Sequence, residues 1–199
     1  MIRDRNMSLF LLSALALLAG AEPAFAHVGP GEHGGLTAGL LHPVLGLDHL
    51  LAMVAVGVWA ARMGGKALWI VPSAFVGTMA IGGTMGYGHA GLPGMELAIA
   101  GSVVVLGLLI ATAARPPVAV GAAIVGLFAF FHGWAHGAEM PVDGEPLLFG
   151  LGFIVATALL HGLGIGAATL AARLLPSGLP TRALGAATAV VGAYLLVAA

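Results

Sequence analysis

Cysteine is absent from this 199-residue chain, and charged residues make up only 8% of it. The absence of cysteine excludes disulfide bonds and thiolate metal ligands, so that only nitrogen, oxygen and methionine sulfur donors remain. About a quarter of the residues of a soluble domain are charged, whereas 60% of this chain is hydrophobic and its mean hydropathy is +1.06. The composition therefore predicts an integral membrane protein.

Two classes of function lack the residues that they need. The net charge of −1 comes without a basic patch, which argues against nucleic acid as a partner. The segment Gly64-Gly65-Lys66 lacks the flanking pattern of a phosphate-binding loop, so ATP hydrolysis by this chain is not expected. Histidine is abundant instead, with 8 residues in an apolar chain.

Residues 1–26 have the three parts of a cleavable signal peptide: a positive start, a short apolar core at 8–19, and an A-x-A cleavage site at Ala24-Phe25-Ala26. An uncleaved anchor helix is the alternative interpretation. Cleavage would make residues 27–35 a periplasmic leader, which either collects metal ions or is inert. Its candidate metal ligands are His27, Glu32 and His33.

Six apolar runs follow, each close to the roughly 20 residues that a helix needs to cross a bilayer. We expect an all-α fold with transmembrane helices at about 36–61, 68–88, 95–114, 118–138, 147–172 and 182–198. Because the connections are short, neighbouring helices are expected to pack antiparallel. Residues 36–199 are then one six-helix transmembrane domain.

The charged residues indicate how the chain is oriented. Alternate connections hold every basic residue that follows the signal peptide: Arg62, Lys66, Arg115, Arg173 and Arg182. The other connections carry histidine and acidic residues: His89, Glu96, Glu139, Asp143 and Glu145. Because basic residues are enriched in cytoplasmic loops, we expect a multi-pass protein of a bacterial inner membrane. Both of its mature termini are then expected on the periplasmic side.

The first predicted helix carries three ionisable groups in an otherwise apolar run: His42, Asp48 and His49. An ionisable group near the centre of a spanning helix costs about 2.5–3.5 kcal/mol, so such groups usually mark an ion path or a binding site. In a straight helix the two histidines share a face but are about 10 Å apart, too far to bind one ion together. Pro43 and Gly46 give the helix an opportunity to unwind between them.

Histidines recur on the fourth and fifth predicted helices. His132 and His136 are four residues apart on one helix face, which is the spacing of a chelating pair. Glu139 continues that face at its outer end. His161 lies near the middle of the fifth helix, where it is either a further metal ligand or a hydrogen-bonding strut between helices.

The remaining candidates are expected at the outer surface. His89 and Glu96 belong there to a metal-collecting cluster, or His89 is a simple interface residue. Imidazole and carboxylate donors without thiolate favour divalent first-row ions such as Ni²⁺, Co²⁺ or Zn²⁺, and the sequence does not choose among them. No comparable group continues toward the cytoplasmic side, which we expect to be closed by apolar packing.

Glycines recur in the predicted helices at spacings that permit close packing. Small residues let backbones approach in lipid, where no hydrophobic effect drives helices together. We therefore expect helix contacts at Gly82, Gly83, Gly86, Gly162, Gly164, Gly166, Gly185 and Gly192.

Two sequence blocks resemble the HupE/UreJ family, small inner-membrane proteins that are associated with hydrogenase and urease operons. They are His42-Pro-x-x-Gly-x-Asp48-His49, preceded by a signal peptide, and Phe131-His132-x-x-Ala135-His136-Gly-x-Glu139. The resemblance covers essentially the whole mature chain. It implies a nickel or cobalt permease in which the first block and the histidines of the fourth helix carry the metal.

The resulting hypothesis is a secondary permease, not an enzyme, that imports Ni²⁺ or Co²⁺ from periplasm to cytoplasm and supplies enzymes such as hydrogenase or urease. It needs no resident cofactor, and its partners are the transported ion and the bilayer. The preferred ion, proton coupling and homo-oligomer formation stay open. Two alternatives remain: an intramembrane metalloenzyme, although no His-Glu-x-x-His motif is present, and a sensor or accessory subunit of another transporter.

Overall fold

The computed structural model describes residues 35–140 and 145–198, which form seven α-helices and no strand. In chain order the helices are α1 Leu36–Leu45, α2 Leu47–Met63, α3 Ala67–Gly86, α4 Met95–Ala111, α5 Val118–Glu139, α6 Pro146–Leu174 and α7 Leu179–Ala198. For these residues the all-α prediction is confirmed. The predicted signal peptide, residues 1–26, and residues 27–34 of the predicted leader lie outside the described residues.

Four of these helices, α3, α5, α6 and α7, are long and apolar enough to cross a membrane, and α1 with α2 makes a fifth span if the pair counts as one. Helix α4 is apolar but has only 17 residues, or about 25 Å against a hydrocarbon core of about 30 Å. Large apolar side chains face outward, for example Leu127 with 60% and Val190 with 70% exposure. The chain is therefore a membrane protein, and its sixth span stays a prediction.

The run over 36–61, predicted as a transmembrane helix that could unwind at Pro43 and Gly46, is broken at Gly46. This run forms α1 and α2, whose axes differ by 86°. The residue between them, Gly46, has extended backbone with φ −85° and ψ 118°, and glycine is among the weakest helix formers. The carbonyl of Gly46 accepts the N–H of Leu50 at 2.9 Å, so α2 starts directly after the break. Pro43 lies inside α1.

Close glycine contacts fix the relative direction of α3 and α5. A Cβ atom at Gly82 would overlap the carbonyl oxygen of Phe130. One turn later, a Cβ at Gly86 would overlap the carbonyl oxygen of Trp134. Because the matched residue numbers rise together, α3 and α5 run in the same direction. The segment that contains α4 therefore returns the chain from the end of α3 to the start of α5.

Helices α1 and α2 both pack against α6. A Cβ at Gly39 would overlap the carbonyl oxygen of Phe149, and one at Gly57 would overlap that of His161. The contacted residues of α6 rise in number from α1 to α2, so the pair advances along α6 in the direction of α6, although its two axes differ by 86°. Helix α7 packs mainly against α4.

The two ends of this bundle differ in charge. At one end the start of α1 meets the start of α6, since a Cβ at Gly35 would lie 3.0 Å from Glu145 Oε2. At the other end Arg182 Nε donates to the carbonyl oxygen of Ala111 at 2.8 Å. We call the first the acidic end, with Glu139 and Glu145. We call the second the basic end, with Arg62, Lys66, Arg115, Arg173 and Arg182.

Candidate metal centre

The break at Gly46 turns the first residues of α2 toward the side chains of α1. A Cβ at Gly46 would lie 3.0 Å from His49 Nδ1 and 3.1 Å from Asp48 Oδ1, so a larger residue would crowd this pair. The ring centroids of His42 and His49 lie 6.4 Å apart, whereas a straight helix would separate the residues by about 10 Å along its axis. The two halves of the broken helix thus present their histidines to one place.

Asp48 holds the ring of His49 in a defined orientation. Asp48 Oδ1 lies 2.5 Å from His49 Nδ1 and accepts the backbone N–H of His49 at 2.8 Å. Because a carboxylate only accepts hydrogen bonds, Nδ1 carries a proton, and in the neutral ring the free lone pair is therefore on Nε2. That Nε2 is buried and has no hydrogen-bond partner. Carboxylates orient metal-binding imidazoles in this way.

Helix α5 presents two more imidazoles one turn apart. His132 Nδ1 donates to the carbonyl oxygen of Phe128 at 2.9 Å, and its buried Nε2 has no hydrogen-bond partner. Both ring nitrogens of His136 are also buried without one. His132 therefore repeats the arrangement of His49, with one nitrogen anchored and the other available as a ligand.

Four imidazoles meet where α1, α2 and α5 converge, and we call His42, His49, His132 and His136 the histidine cluster. His136 is central, because its ring centroid lies 4.7 Å from that of His42 and 4.4 Å from that of His49. The ring of His132 lies 5.2 Å from that of His49. All four residues are buried, with at most 8% exposure.

Glu139 closes the histidine cluster on the side of the acidic end. Its Oε2 lies 3.9 Å from His42 Nε2 and 3.7 Å from His136 Nδ1. One ligand atom from each of these three residues lies within 4.8 Å of the other two. In a tetrahedral site with bonds of about 2.0–2.1 Å, ligand atoms are about 3.3 Å apart. Inward movements of about an ångström would therefore suffice to hold a metal ion.

The unpartnered nitrogens distinguish this cluster from a set of structural histidines. A buried polar atom without a hydrogen bond costs about 1–3 kcal/mol, and a histidine that only supports the fold avoids this cost by bonding to a neighbour. The buried nitrogens without a partner are His42 Nε2, His49 Nε2, His132 Nε2 and both ring nitrogens of His136. A divalent cation that binds one unprotonated nitrogen of each neutral ring would satisfy atoms that the protein leaves without a hydrogen bond.

His161 is not part of the histidine cluster. It lies on α6 with 2% exposure, and both of its ring nitrogens lack a hydrogen-bond partner. The ring of Phe75 lies 5.2 Å from that of His161 and 5.6 Å from that of His132, so an aromatic side chain contacts both. A strut needs a hydrogen bond across helices, and His161 makes none within the described residues.

The other predicted ligands are not brought into the cluster. His89 and Glu96 are exposed and join no group of three metal-competent side chains within 35–140 and 145–198. The ring of His89 lies 6.1 Å from that of Trp134, a contact that fits its alternative interpretation as an interface residue. The predicted leader ligands His27, Glu32 and His33 lie outside the described residues.

Helix α6 places aromatic side chains against one side of the cluster, which was not predicted from the sequence. The ring of Phe153 lies 4.4 Å from that of His136, and the ring of Phe149 lies 5.5 Å from that of His42. These aromatic rings exclude water from one side of the imidazoles. A four-residue spacing, which places residues on one helix face, was the available signal: Phe149, Phe153, Thr157 and His161.

A cavity of about 390 Å³ lies between α3, α5 and α6, next to the histidine cluster. Most of the side chains that line it are apolar, and its wall includes both His136 and Met79. The cavity thus extends from the cluster to a residue on α3 that the sequence interpretation did not consider.

Comparison with known proteins identifies the same family as the two histidine blocks that meet in this site. The family model described as HupE / UreJ protein matches residues 15–195. The chain is 50% identical over 188 residues to Protein HupE of Rhizobium leguminosarum bv. viciae, a match that covers 94% of this chain and 95% of that protein. No solved structure matches the chain. The chain belongs to the HupE/UreJ family.

Proposed function

We propose that this protein is a secondary permease, not an enzyme, that carries Ni²⁺ or Co²⁺ across a bacterial inner membrane from periplasm to cytoplasm. The observation that carries the proposal is the histidine cluster at the break of an apolar helix pair, in which each imidazole has a buried ring nitrogen without a hydrogen-bond partner. Secondary transporters commonly bind substrate ions at broken helices. The resemblance of the two histidine blocks to those of nickel and cobalt permeases supports the same function.

The donor atoms of the cluster favour the proposed ions. Imidazole and carboxylate suit borderline divalent metals, whereas Mg²⁺ and Ca²⁺ prefer more oxygen and Cu⁺ prefers sulfur. From the acidic end an ion would first meet Glu139, His42 and His136. It would then meet His49 and His132, whose rings are anchored through Nδ1 and whose Nε2 atoms are buried without a hydrogen-bond partner. Each step replaces water ligands by protein ligands.

We further propose six membrane spans, with α4 as the third. Helices α3 and α5 run in the same direction, so the chain has to cross back between them, and α4 is the apolar helix in that segment. The separation of charge supports an orientation with the basic end in the cytoplasm. Both mature termini are then periplasmic, and the leader residues His27, Glu32 and His33 would collect ions outside.

Transport in this direction needs no nucleotide. An inside-negative potential of 100 mV contributes about 2.3 kcal/mol per charge, and therefore about 4.6 kcal/mol for a divalent cation. That free energy corresponds to about a thousandfold accumulation. We expect apolar packing to close the path nearer the basic end, where Trp59 and Val71 are completely buried.

Flux into liposomes tests the proposal directly. We expect the purified full chain to admit Ni²⁺ into proteoliposomes with a metal-sensitive dye inside, and an inside-negative potassium diffusion potential to accelerate entry. Protein-free liposomes and Mg²⁺ as the external ion are the controls. A chain that holds metal tightly but gives no flux would contradict an autonomous permease and would favour an accessory subunit, a sensor or a metalloenzyme.

Asp48→Asn is expected to weaken Ni²⁺ binding by about 10–100-fold, because outer carboxylates that orient a metal-binding imidazole contribute that much to affinity. The amide removes the charge that fixes the His49 tautomer. Titration calorimetry on the purified chain measures the effect. The matched control is Glu96→Gln, a similar change at an exposed acid outside the cluster, which should bind as the wild type does. Equal affinities for all three proteins would remove Asp48 from the site.

A further inference from the structure

A stripe of buried side chains continues from the histidine cluster into the interior along α6. Phe153, whose ring contacts that of His136 at 4.4 Å, is followed at four-residue intervals by Thr157 and His161. Each interval is about 6 Å along the helix, so His161 lies about 12 Å deeper than the level of Phe153. Thr157 and His161 have 0% and 2% exposure.

Two methionine sulfurs meet at Thr157. Its hydroxyl donates to Met53 Sδ at 3.4 Å and lies 3.9 Å from Met79 Sδ. Met53 is on α2, one turn below His49, and Met79 is on α3. Both methionines are buried, with 0% and 3% exposure. Three helices thus bring two thioethers and one hydroxyl together beside the cluster, where Met79 packs on Gly133, the neighbour of His132.

His161 lies one turn deeper than Thr157 on the same face of α6. Side chains in a helix lean toward its N-terminus, so the ring of His161 leans toward the level of Thr157. Helix α3 runs opposite to α6, so Met79 leans deeper, toward the level of Phe75. The ring of Phe75 lies 5.2 Å from that of His161. Both ring nitrogens of His161 are buried without a hydrogen-bond partner.

We propose that Met53, Met79 and His161 form an inner metal site, through which an ion passes after it leaves the histidine cluster. The proposal rests on the proposed function, since it assumes that the ion moves inward. Thioether sulfur binds softer and borderline ions and offers little to Mg²⁺ or Ca²⁺. The inner site therefore takes a dehydrated Ni²⁺ or Co²⁺ ion and rejects hard cations.

Two further features support a connection between the sites. The cavity of about 390 Å³ is bordered by both His136 and Met79, so one space reaches a ligand of each site. Phe75 contacts His132 on one side and His161 on the other. Phe75 thereby links the two sites through ring contacts with an imidazole of each.

X-ray absorption at the nickel edge tests the inner site, because the chain has no cysteine and any sulfur ligand has to be methionine. We expect sulfur scattering in the spectrum of the purified full chain loaded with Ni²⁺. In Asp48→Asn, which weakens the outer site, the sulfur contribution per bound nickel should rise. A spectrum with only nitrogen and oxygen ligands in both proteins would overturn the proposal.

The double variant Met53→Leu/Met79→Leu should lose the sulfur scattering and bind one Ni²⁺ fewer than the wild type in equilibrium dialysis. His161→Gln should also bind one fewer. Leucine conserves the volume of methionine, so the fold is expected to tolerate the exchange. The control is Met85→Leu, on the same helix as Met79 but with 49% exposure, which should retain both signals. Unchanged stoichiometry in the double variant would mean that the thioethers only pack.

These measurements use binding alone and therefore separate the two proposals. A wild-type chain that shows sulfur ligation but no flux in liposomes would contradict the permease and leave the inner site intact. A chain that transports Ni²⁺ but shows no sulfur ligation would contradict the inner site and leave the permease intact.

Discussion

Replacing His136 by alanine is expected to reduce Ni²⁺ flux into proteoliposomes by about 100-fold or more. His136 is the central ring of the histidine cluster, in contact with the rings of both His42 and His49, and its Nδ1 lies 3.7 Å from Glu139 Oε2. Loss of a residue that only orients a metal ligand already lowers metal affinity or activity by about 10–100-fold. The loss of a ligand itself should lower the flux further. The measurement is the initial rate of Ni²⁺ entry at a fixed membrane potential.

The matched control for this prediction is His89→Ala. It removes the same side chain from an exposed position outside the cluster, so its flux should stay within about twofold of the wild type. Equal yields of monodisperse protein in detergent would show that both variants fold. Wild-type flux in His136→Ala would remove the cluster from the transport path, whatever metal it binds.

Much of the helical architecture was predictable because its cause is local. Runs of about 20 apolar residues with few charges have no other stable arrangement in a bilayer, and the predicted runs 118–138 and 147–172 correspond to α5 and α6. The pairing of Asp48 with His49 was only partly predictable, since successive side chains of a helix do not face each other and the contact depends on the backbone at the start of α2.

The break at Gly46 was not predictable with the same certainty, although its position was considered. Glycine lowers the stability of a helix by only about 1 kcal/mol, so the local sequence permits the break without requiring it. What decides is the contact of α1 and α2 with α6, through Gly39 and Gly57. That packing brings the rings of His42 and His49 to 6.4 Å, and no property of residues 36–61 alone contains it.

The meeting of Met53, Met79 and Thr157 could not be predicted from the sequence, for a related reason. Met53 follows His49 by one turn of α2, but Met79 and Thr157 lie on other helices and carry no charge. Their meeting depends on how three helices cross. Buried charges stand out in an apolar sequence because their cost is high, whereas a thioether or a hydroxyl at the same depth gives no such signal.

Only some of the glycines that were predicted to lie at helix contacts do so. Gly164 lies at a helix crossing, where an added Cβ would overlap the carbonyl oxygen of Val54, whereas Cβ atoms at Gly162 and Gly166 would meet no atom within 4 Å. A spacing of two residues places Gly162 and Gly164 on different faces of α6. The sequence therefore indicated that glycines pack helices together, and only the three-dimensional arrangement identifies which of them do.

Gly164→Ala is expected to lower the free energy of unfolding by about 1–3 kcal/mol, the usual cost of overpacking a tight contact. The added methyl group meets backbone atoms of Val54, Gly57 and Val58, which cannot rotate away as a side chain can. Helix α2 would have to move away from α6, and His49 and Met53 would move with it. Thermal unfolding in detergent measures the loss, and Ni²⁺ flux should fall with it because the cluster depends on this crossing.

Gly162→Ala is the control, since it makes the same change two residues earlier, at an exposed position with open space around it. Alanine is favoured over glycine in a helix by up to about 1 kcal/mol, so this variant should be as stable as the wild type or slightly more so, with unchanged flux. The two variants should change the free energy of unfolding in opposite directions. This difference comes from packing alone, because helix propensity predicts the same gain for alanine at Gly162 and at Gly164. If both variants were stabilised, the close approach of α2 and α6 would not exist, and the position of His49 beside His136 would lose its support.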